Sequence, residues 1–255
     1  MQKKKIVIAN LKMFPQTLRE AIGYLRDIKR MASRLRNTET VVCPPFPYFG
    51  GLPKVRSTAF FLGAQNVAHE RVGPHTGEVS AHMLKNIGVR FALVGHSERR
   101  ALGESNALIQ GKIRAGLAEK LSVVLCIGEQ TRDAQGAYLS FLREQLSSAL
   151  IGLSPAELRY LSIAYEPIWA IGKTTKDAMA EGDLHEITIF IRKTLTELFG
   201  RRGAEAVRIL YGGSVEASNA ASLMEGGAVQ GFLVGHASHD PKTFSEILTA
   251  VDRAR

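Results

Sequence analysis

Short apolar runs recur along the whole chain and do not alternate with polar residues. They read IVIAN (6–10), TVVC (40–43), FFLGA (60–64), FALVG (91–95), SVVLCIG (122–128), SIAYE (162–166), RILYGG (208–213) and GFLVG (231–235). Continuous runs of β-branched and aromatic residues are typical of strands that are buried on both faces, as in a parallel sheet. The pattern therefore predicts eight buried parallel strands.

Between these runs the apolar residues take up a helical period. From 18 to 35, and again from 184 to 198, they recur every three or four positions. A last stripe over 244–251 follows Pro241, which suits the first turn of a helix. The segments after the second and third runs are short and broken by Gly or Pro, so they predict weaker helices.

The length of the chain and the number of predicted strands together indicate an architecture. Its 255 residues provide about 32 residues for each of eight units, the length of a strand, a helix and two loops. No linker composition marks a domain boundary. We predict an α/β fold, a (β/α)8 barrel of eight parallel strands with outer helices, as a single domain over 1–255. Its chemistry is expected at the carboxyl ends of the strands.

Composition and charge narrow the class of protein. Hydrophobic residues at 45% and charged residues at 22% exclude disordered and low-complexity chains. The formal charge of +9 favours acidic partners, which are nucleic acid, an anionic membrane or a small phosphorylated ligand. Cys43 and Cys126 lie in apolar runs, which favours buried thiols over a disulfide. The apolar stretches are too short for a signal peptide or a membrane span, so we expect a cytoplasmic protein.

Polar residues at the ends of the first and fourth strands are candidates for chemistry. Strand alternation puts Asn10 and Lys12 on one face, where an amide and an ammonium can both point at the mouth of the barrel. A polar strand end is the plainer interpretation. His96 follows an apolar strand and precedes Ser97-Glu98, which can open a helical turn. The N–H groups of such a turn disfavour imidazolium and favour a neutral ring that donates.

The sixth strand ends in Glu166-Pro167, followed by an apolar segment with the only Trp of the chain. If this segment is a lid that excludes water, the Glu166 carboxylate becomes a better general base. The alternative interpretation is that Glu166 pairs with an Arg or a Lys in the barrel wall. Gly212-Gly213 before Ser214, and Gly235 before His236, let backbone N–H groups approach an anion. The seventh and eighth loops form the usual phosphate site of this fold.

Two other motifs are incomplete. Gly172-Lys173-Thr174 resembles the end of a P-loop, but Pro167 stands where its first glycine belongs. His185-Glu186 lacks the second His that a zinc-protease helix needs, because position 189 is Ile. No acidic or His cluster has metal-ligand spacing, so we predict no metal and no cofactor.

Taken together, these segments resemble one known family. IANLKM, GAQNV, TGEVS (76–80), VGHSERR, LCIGE, AYEPIWAIG, YGGSV and GFLVG occur in the order found in the triosephosphate isomerase family, over essentially the whole chain. The resemblance implies a TIM barrel that interconverts dihydroxyacetone phosphate and glyceraldehyde 3-phosphate through an enediolate.

The same resemblance implies a role for each site residue. Glu166 is then the base, His96 the neutral electrophile, Lys12 a fixed positive charge and Asn10 a hydrogen-bond donor to the oxyanion. Backbone groups of Gly172, Ser214, Gly235 and His236 hold the phosphate, and Glu98 lies near Lys12. Thr76 lies in a loop that reaches a partner subunit, which implies a homodimer.

Three places depart from the pattern of the family. Leu11, Phe14 and Pro15 stand in the first loop, where they predict different packing, and Phe14 and Pro15 are expected to alter how tightly the subunits associate. The hinge after Gly172 reads Lys173-Thr174-Thr175-Lys176-Asp177, and the lid is one residue shorter. His236 replaces a glycine, and it would be strained if that position has a positive φ, which would weaken the phosphate site.

Three alternatives remain. Another phosphate-binding barrel, an epimerase or an aldolase, would need metal ligands or a Schiff-base lysine. A basic face on the first helix, residues 26–36, could bind RNA or lipid, but a solvated face is the commoner explanation, so no nucleic-acid or membrane partner is expected. The third alternative is a barrel of this family without activity, against which the four residues Asn10, Lys12, His96 and Glu166 argue.

Overall fold

Eight parallel strands close into one barrel in chain order, and β8 pairs again with β1. The computed structural model describes residues 4–53, 55, 57–170 and 179–254. The strands are β1 Lys5–Asn10, β2 Thr38–Cys43, β3 Phe60–Ala64, β4 Phe91–Val94, β5 Ser122–Ile127, β6 Leu161–Tyr165, β7 Arg208–Tyr211 and β8 Gly231–Val234. Each overlaps a predicted run, and the predicted (β/α)8 barrel is confirmed.

Helices connect the strands and cover the outside of the barrel. They are α1 Leu18–Ala32, α2 Ala81–Asn86, α3 Ser97–Ala101, α4 Asn106–Ala118, α5 Ala137–Leu150, α6 Glu181–Ala206, α7 Ala220–Gly226 and α8 Pro241–Arg253. The predicted weak units are confirmed, because a 3-10 helix, Phe46–Gly51, follows β2 and the six-residue α2 follows β3. Pro241 opens α8 as predicted.

Two apolar cores follow from the strands being buried on both faces. The larger core lies between strands and helices. The smaller core fills the barrel with side chains from alternate strand positions, namely Ile6, Ile8, Val41, Cys43, Phe91, Leu93, Val124, Cys126, Ala164, Leu210 and Leu233. Since side chains alternate, two positions beyond Ile8 comes Asn10, and two beyond Ala164 comes Glu166. Strand register therefore aims both residues into the carboxyl-terminal mouth.

Both cysteines are free thiols in this inner core, as the apolar runs predicted. Burial raises the pKa of the Cys43 thiol, so it stays protonated at neutral pH. Across the described residues, no helix has the length and apolar character needed to cross a membrane.

Candidate active site

A cavity of about 910 Å³ opens at the carboxyl ends of the strands. It brings together eight of the predicted site residues, which are Asn10, Lys12, His96, Glu98, Glu166, Ser214, Gly235 and His236. Gly172 lies outside the described residues. Thr76 is exposed on the β3–α2 connection and does not line the cavity.

The backbone of Lys12 is held in a left-handed conformation, with φ of 51°. β1 ends at Asn10, so Lys12 reaches the cavity through this turn and not through the strand alternation that predicted it. Asn10 Oδ1 accepts a hydrogen bond from Lys12 N at 3.2 Å. Gln65 Nε2 donates to the Lys12 and Cys43 carbonyls, both at 2.9 Å. These bonds offset the cost of a positive φ in a residue with a long side chain.

The ammonium of Lys12 is paired with Glu98, which opens α3. Lys12 Nζ lies 2.6 Å from Glu98 Oε1. Burial raises the pKa of Glu98, but the hydrogen bond and charge of Lys12 outweigh it and hold that pKa below its usual range. Glu98 is therefore ionised at neutral pH, and the position of the ammonium is fixed at the mouth of the cavity.

His96 caps the amino terminus of α3, as its sequence context predicted. Its Nδ1 accepts a hydrogen bond from Glu98 N at 3.2 Å. Glu98 Oε2 is 3.8 Å from the same nitrogen, too far for a hydrogen bond. A ring that accepts at Nδ1 is neutral and carries its proton on Nε2. Nε2 is therefore the atom that can donate toward a substrate oxygen.

Glu166 is almost fully buried at the end of β6, and its carboxylate lies beside His96. Glu166 Oε1 is 3.4 Å from His96 Nε2, and Oε2 accepts a hydrogen bond from Ser97 N at 3.0 Å. Among the described residues, Glu166 forms no ion pair with Arg or Lys, which argues against the barrel-wall alternative.

Two glycines make room for this carboxylate. A Cβ on Gly128 would lie 1.8 Å from the Glu166 carbonyl oxygen, and one on Gly212 would lie 2.8 Å from Glu166 Cγ. The ends of β5 and β7 thus approach Glu166 more closely than any larger residue permits.

The segment after Glu166 is anchored by a buried carboxylate that the sequence pattern did not single out. Glu129 Oε1 accepts hydrogen bonds from Trp169 Nε1 at 2.9 Å, from Tyr165 OH at 2.7 Å and from Arg132 Nε at 3.2 Å. Ser214 Oγ donates to the Ala170 carbonyl at 3.1 Å. These contacts fix the base of the predicted lid, whose residues 171–178 lie outside the described part of the chain.

Glu129 and Gln65 are the main functional residues that sequence reasoning missed. Each lies inside a quoted segment, LCIGE or GAQNV. A polar residue directly after an apolar run was the available signal, and it was used for Asn10 and Glu166 but not for these two.

The end of β8 corrects one expectation. The condition for strain at His236 is not met, because the described non-glycine residues with positive φ are Lys12, Lys120 and Ala228. His236 instead begins a 3-10 helix, His236–Ser238, after Gly235. There is no backbone reason for a weakened phosphate site at this position.

The ring of His236 packs against a second histidine. It lies 5.6 Å from the ring of His239, which stacks on Phe14 at 4.4 Å. Phe14 thereby ties the first loop to the eighth.

Within the described part of the chain, no group of three or more His, Cys, Asp or Glu side chains is arranged to hold a metal ion. An ammonium, a neutral imidazole and a buried carboxylate, those of Lys12, His96 and Glu166, converge on this one cavity.

Comparison with known proteins agrees with this geometry. The family model described as triosephosphate isomerase matches residues 5–251. Three similar proteins, each named triosephosphate isomerase, come from Symbiobacterium thermophilum (41% identical, 98% of both chains), Carboxydothermus hydrogenoformans (39%, 96% of this chain and 98% of the relative) and Thermodesulfovibrio yellowstonii (41%, 96% and 98%). With the barrel, the converging side chains and this match over nearly its whole length, the chain belongs to the triosephosphate isomerase family.

Proposed function

We propose that the protein interconverts dihydroxyacetone phosphate and D-glyceraldehyde 3-phosphate by proton transfer through an enediolate. The observation that carries this proposal is the pairing of a buried carboxylate with a neutral imidazole, Glu166 Oε1 to His96 Nε2 at 3.4 Å, inside the cavity that Lys12 also lines. The family membership of the chain supports the same substrate.

The substrate binds with its phosphate at the ends of β7 and β8. Backbone N–H groups of Ser214, Gly235 and His236 hold the phosphate, and Gly172 adds another from the lid. Lys12 supplies a positive charge that favours a dianion, and Asn10 donates a hydrogen bond to the oxygen on which charge develops.

The reaction moves one proton between adjacent carbons. The Glu166 carboxylate removes the proton from the carbon next to the carbonyl, while His96 Nε2–H donates to the carbonyl oxygen. The enediolate forms, and His96 shuttles the proton between its two oxygens. Protonated Glu166 then returns a proton to the other carbon, so atoms and charge balance and no cofactor is needed.

Glu166 must leave its present partner before it can act. Its Oε2 accepts a hydrogen bond from Ser97 N at 3.0 Å, and this bond must break before the carboxylate can reach a substrate carbon. The apolar lid predicted after Glu166 would exclude water from the carboxylate, which strengthens every charge interaction in the site.

The working form is proposed to be a cytoplasmic homodimer in which the whole chain, 1–255, acts as one domain. Met13 and Val72 are 79% and 86% exposed on the connections after β1 and β3, and contact with a partner subunit would bury them. Thr76 lies on the same connection as Val72 and is the proposed contact to the partner. The free thiols of Cys43 and Cys126 suit a reducing compartment.

A coupled isomerase assay tests the proposal. Purified protein should convert glyceraldehyde 3-phosphate, and Glu166→Ala should lose about 10³-fold or more in kcat, while Glu186→Ala, which removes an exposed carboxylate from α6, should keep the wild-type rate. Equal rates for the wild type and Glu166→Ala would refute the proposal.

A further inference from the structure

A second cavity lies at the opposite, amino-terminal end of the barrel, away from the carboxyl-terminal mouth. It has a volume of about 240 Å³ and is lined by residues at the starts of β2 to β7. Since the strands have four to six residues, the barrel separates the two cavities by about 15 to 20 Å. Nothing in the proposed reaction uses this cavity.

Arginines dominate the charge around this cavity. Arg90, Arg159 and Arg208 line it together with a single carboxylate, Glu39, which leaves a formal surplus of 3 − 1 = +2. Arg208 Nη1 is paired with Glu39 Oε2 at 2.8 Å, and both side chains are only about one-fifth exposed. Glu39 is therefore already neutralised by Arg208.

The other two guanidinium groups have no carboxylate of their own. Within the described residues, neither Arg90 nor Arg159 takes part in an ion pair. The Arg159 guanidinium lies over the Tyr160 ring, 4.8 Å from its centroid. Two cations that face one small cavity without a counter-charge repel each other, and an anion between them removes that repulsion. An anion bound between Arg90 and Arg159 would therefore be attracted by both guanidinium groups.

We propose that this cavity, which we name the basal cavity, binds a small phosphate-bearing anion. Guanidinium groups bind phosphate oxygens in pairs through parallel N–H bonds, so two free arginines suit two phosphate groups or one multiply charged one. The volume is below that of a site for a drug-sized ligand, which limits the ligand to roughly the size of pyrophosphate or a short phosphorylated metabolite.

The walls of the basal cavity add to the affinity for such a ligand. Phe61 and Phe91 pack 5.6 Å apart along one side, and Ser122 and Ser162 provide hydroxyl groups on strands β5 and β6. Apolar walls lower the local dielectric and strengthen the attraction between guanidinium and phosphate, while the hydroxyls can donate to remaining oxygens.

Isothermal titration with inorganic pyrophosphate at low ionic strength tests the proposal. The measurement is made on Lys12→Met, which removes an ammonium group from the carboxyl-terminal mouth, weakens anion binding there and leaves the basal cavity as the tighter pyrophosphate site. We expect one site for each chain, and about a tenfold or greater loss of affinity when Arg90→Ser and Arg159→Ser are added. The control adds Arg34→Ser and Arg36→Ser, which removes the same charge from the loop before β2, outside the cavity; its affinity should stay within about twofold.

The isomerase rate separates this proposal from the proposed function. In the otherwise wild-type chain, Arg90→Ser with Arg159→Ser should keep the rate, because these residues do not touch the carboxyl-terminal cavity. Both side chains are exposed, so the variant should fold; Arg159→Glu provides a second test with the same expected loss of pyrophosphate binding. Absence of binding to Lys12→Met, or equal weakening by the Arg34 and Arg36 control, would overturn the basal cavity as a site.

Discussion

Lys12 is held at three points, its N–H by Asn10, its carbonyl by Gln65 and its ammonium by Glu98. This much support for one side chain indicates that its charge must occupy a fixed place. Lys12→Met should keep the fold but lose the charge that binds a dianion, which lowers kcat/KM by about 10²–10³. Steady-state kinetics measure this, with Lys242→Met as the control for a lysine exposed on α8. A loss no larger than that of Lys242→Met would show that the fixed charge is not used.

His239 makes stability depend on pH in the mildly acidic range. Burial lowers the pKa of His239, and the positive charges of His236 and Lys12 lower it further against the opposing effect of Glu98. In the unfolded chain the pKa returns to about 6.5. Between these two values the unfolded chain binds more protons than the folded one, so the free energy of unfolding falls as pH falls from 6.5 toward the folded pKa.

Replacing the ring should remove part of this dependence. His239→Leu keeps an apolar contact for Phe14 but cannot titrate, so its free energy of unfolding should fall less between about pH 7.5 and 5.5 than that of the wild type. Urea denaturation at fixed protein concentration measures the difference, and His185→Leu, at an exposed position of α6, is the control. An equal fall in wild type and His239→Leu would contradict this role.

At the scale of elements, the ends of β5, β6 and β7 converge on Glu166. Gly212→Ala places a Cβ 2.8 Å from Glu166 Cγ and 3.4 Å from the Tyr165 carbonyl, so the carboxylate must move. A displacement of this size should lower kcat by about 10- to 100-fold, since catalytic groups tolerate little misplacement. Gly182→Ala at the start of α6 is the matched control, because its Cβ would meet nothing within 4 Å. Full activity of Gly212→Ala would mean that Glu166 does not need this position.

Strands and strand-end residues were predictable from sequence for one physical reason. A strand buried on both faces must be continuously apolar, and the first polar residues after it must then face the open mouth; Asn10, His96 and Glu166 were found in this way. Contacts between distant strands carry no such local signal. Gln65 directly follows an apolar run, which marks it as a strand-end residue, but its hydrogen bonds to carbonyls 53 and 22 positions away are not predictable from that pattern.

The backbone conformation of the loops could not be predicted from the sequence either. The positive φ of Lys12 and its absence at His236 are set by hydrogen bonds to neighbouring strands and by the local 3-10 helix. Hydropathy contains no information on the handedness of a turn, so the sequence left open whether His236 has a positive φ, although it did predict that His236 lies at the cavity.

For the whole molecule, exposed apolar side chains on the first and third connections support a homodimer. Sedimentation should be measured from nanomolar to micromolar protein. At the higher concentrations of this range, the measured mass should be twice that of one chain. Val72→Asp should shift the protein toward monomer, because it puts a charge into the proposed interface, whereas Ile189→Asp on the exposed face of α6 should not. A monomer at all concentrations of the wild-type protein would refute the dimer.

Deuterium exchange tests most directly that Glu166 carries a proton between two carbons. When glyceraldehyde 3-phosphate turns over in D₂O, exchange of the protonated carboxyl with solvent competes with return of its proton, so a fraction of the turnovers should introduce deuterium. Mass spectrometry or NMR should therefore find deuterium on the carbon that becomes the hydroxymethyl group of dihydroxyacetone phosphate, and Glu166→Gln should form almost no labelled product. Turnover and labelling by Glu166→Gln equal to those of the wild type would contradict the account.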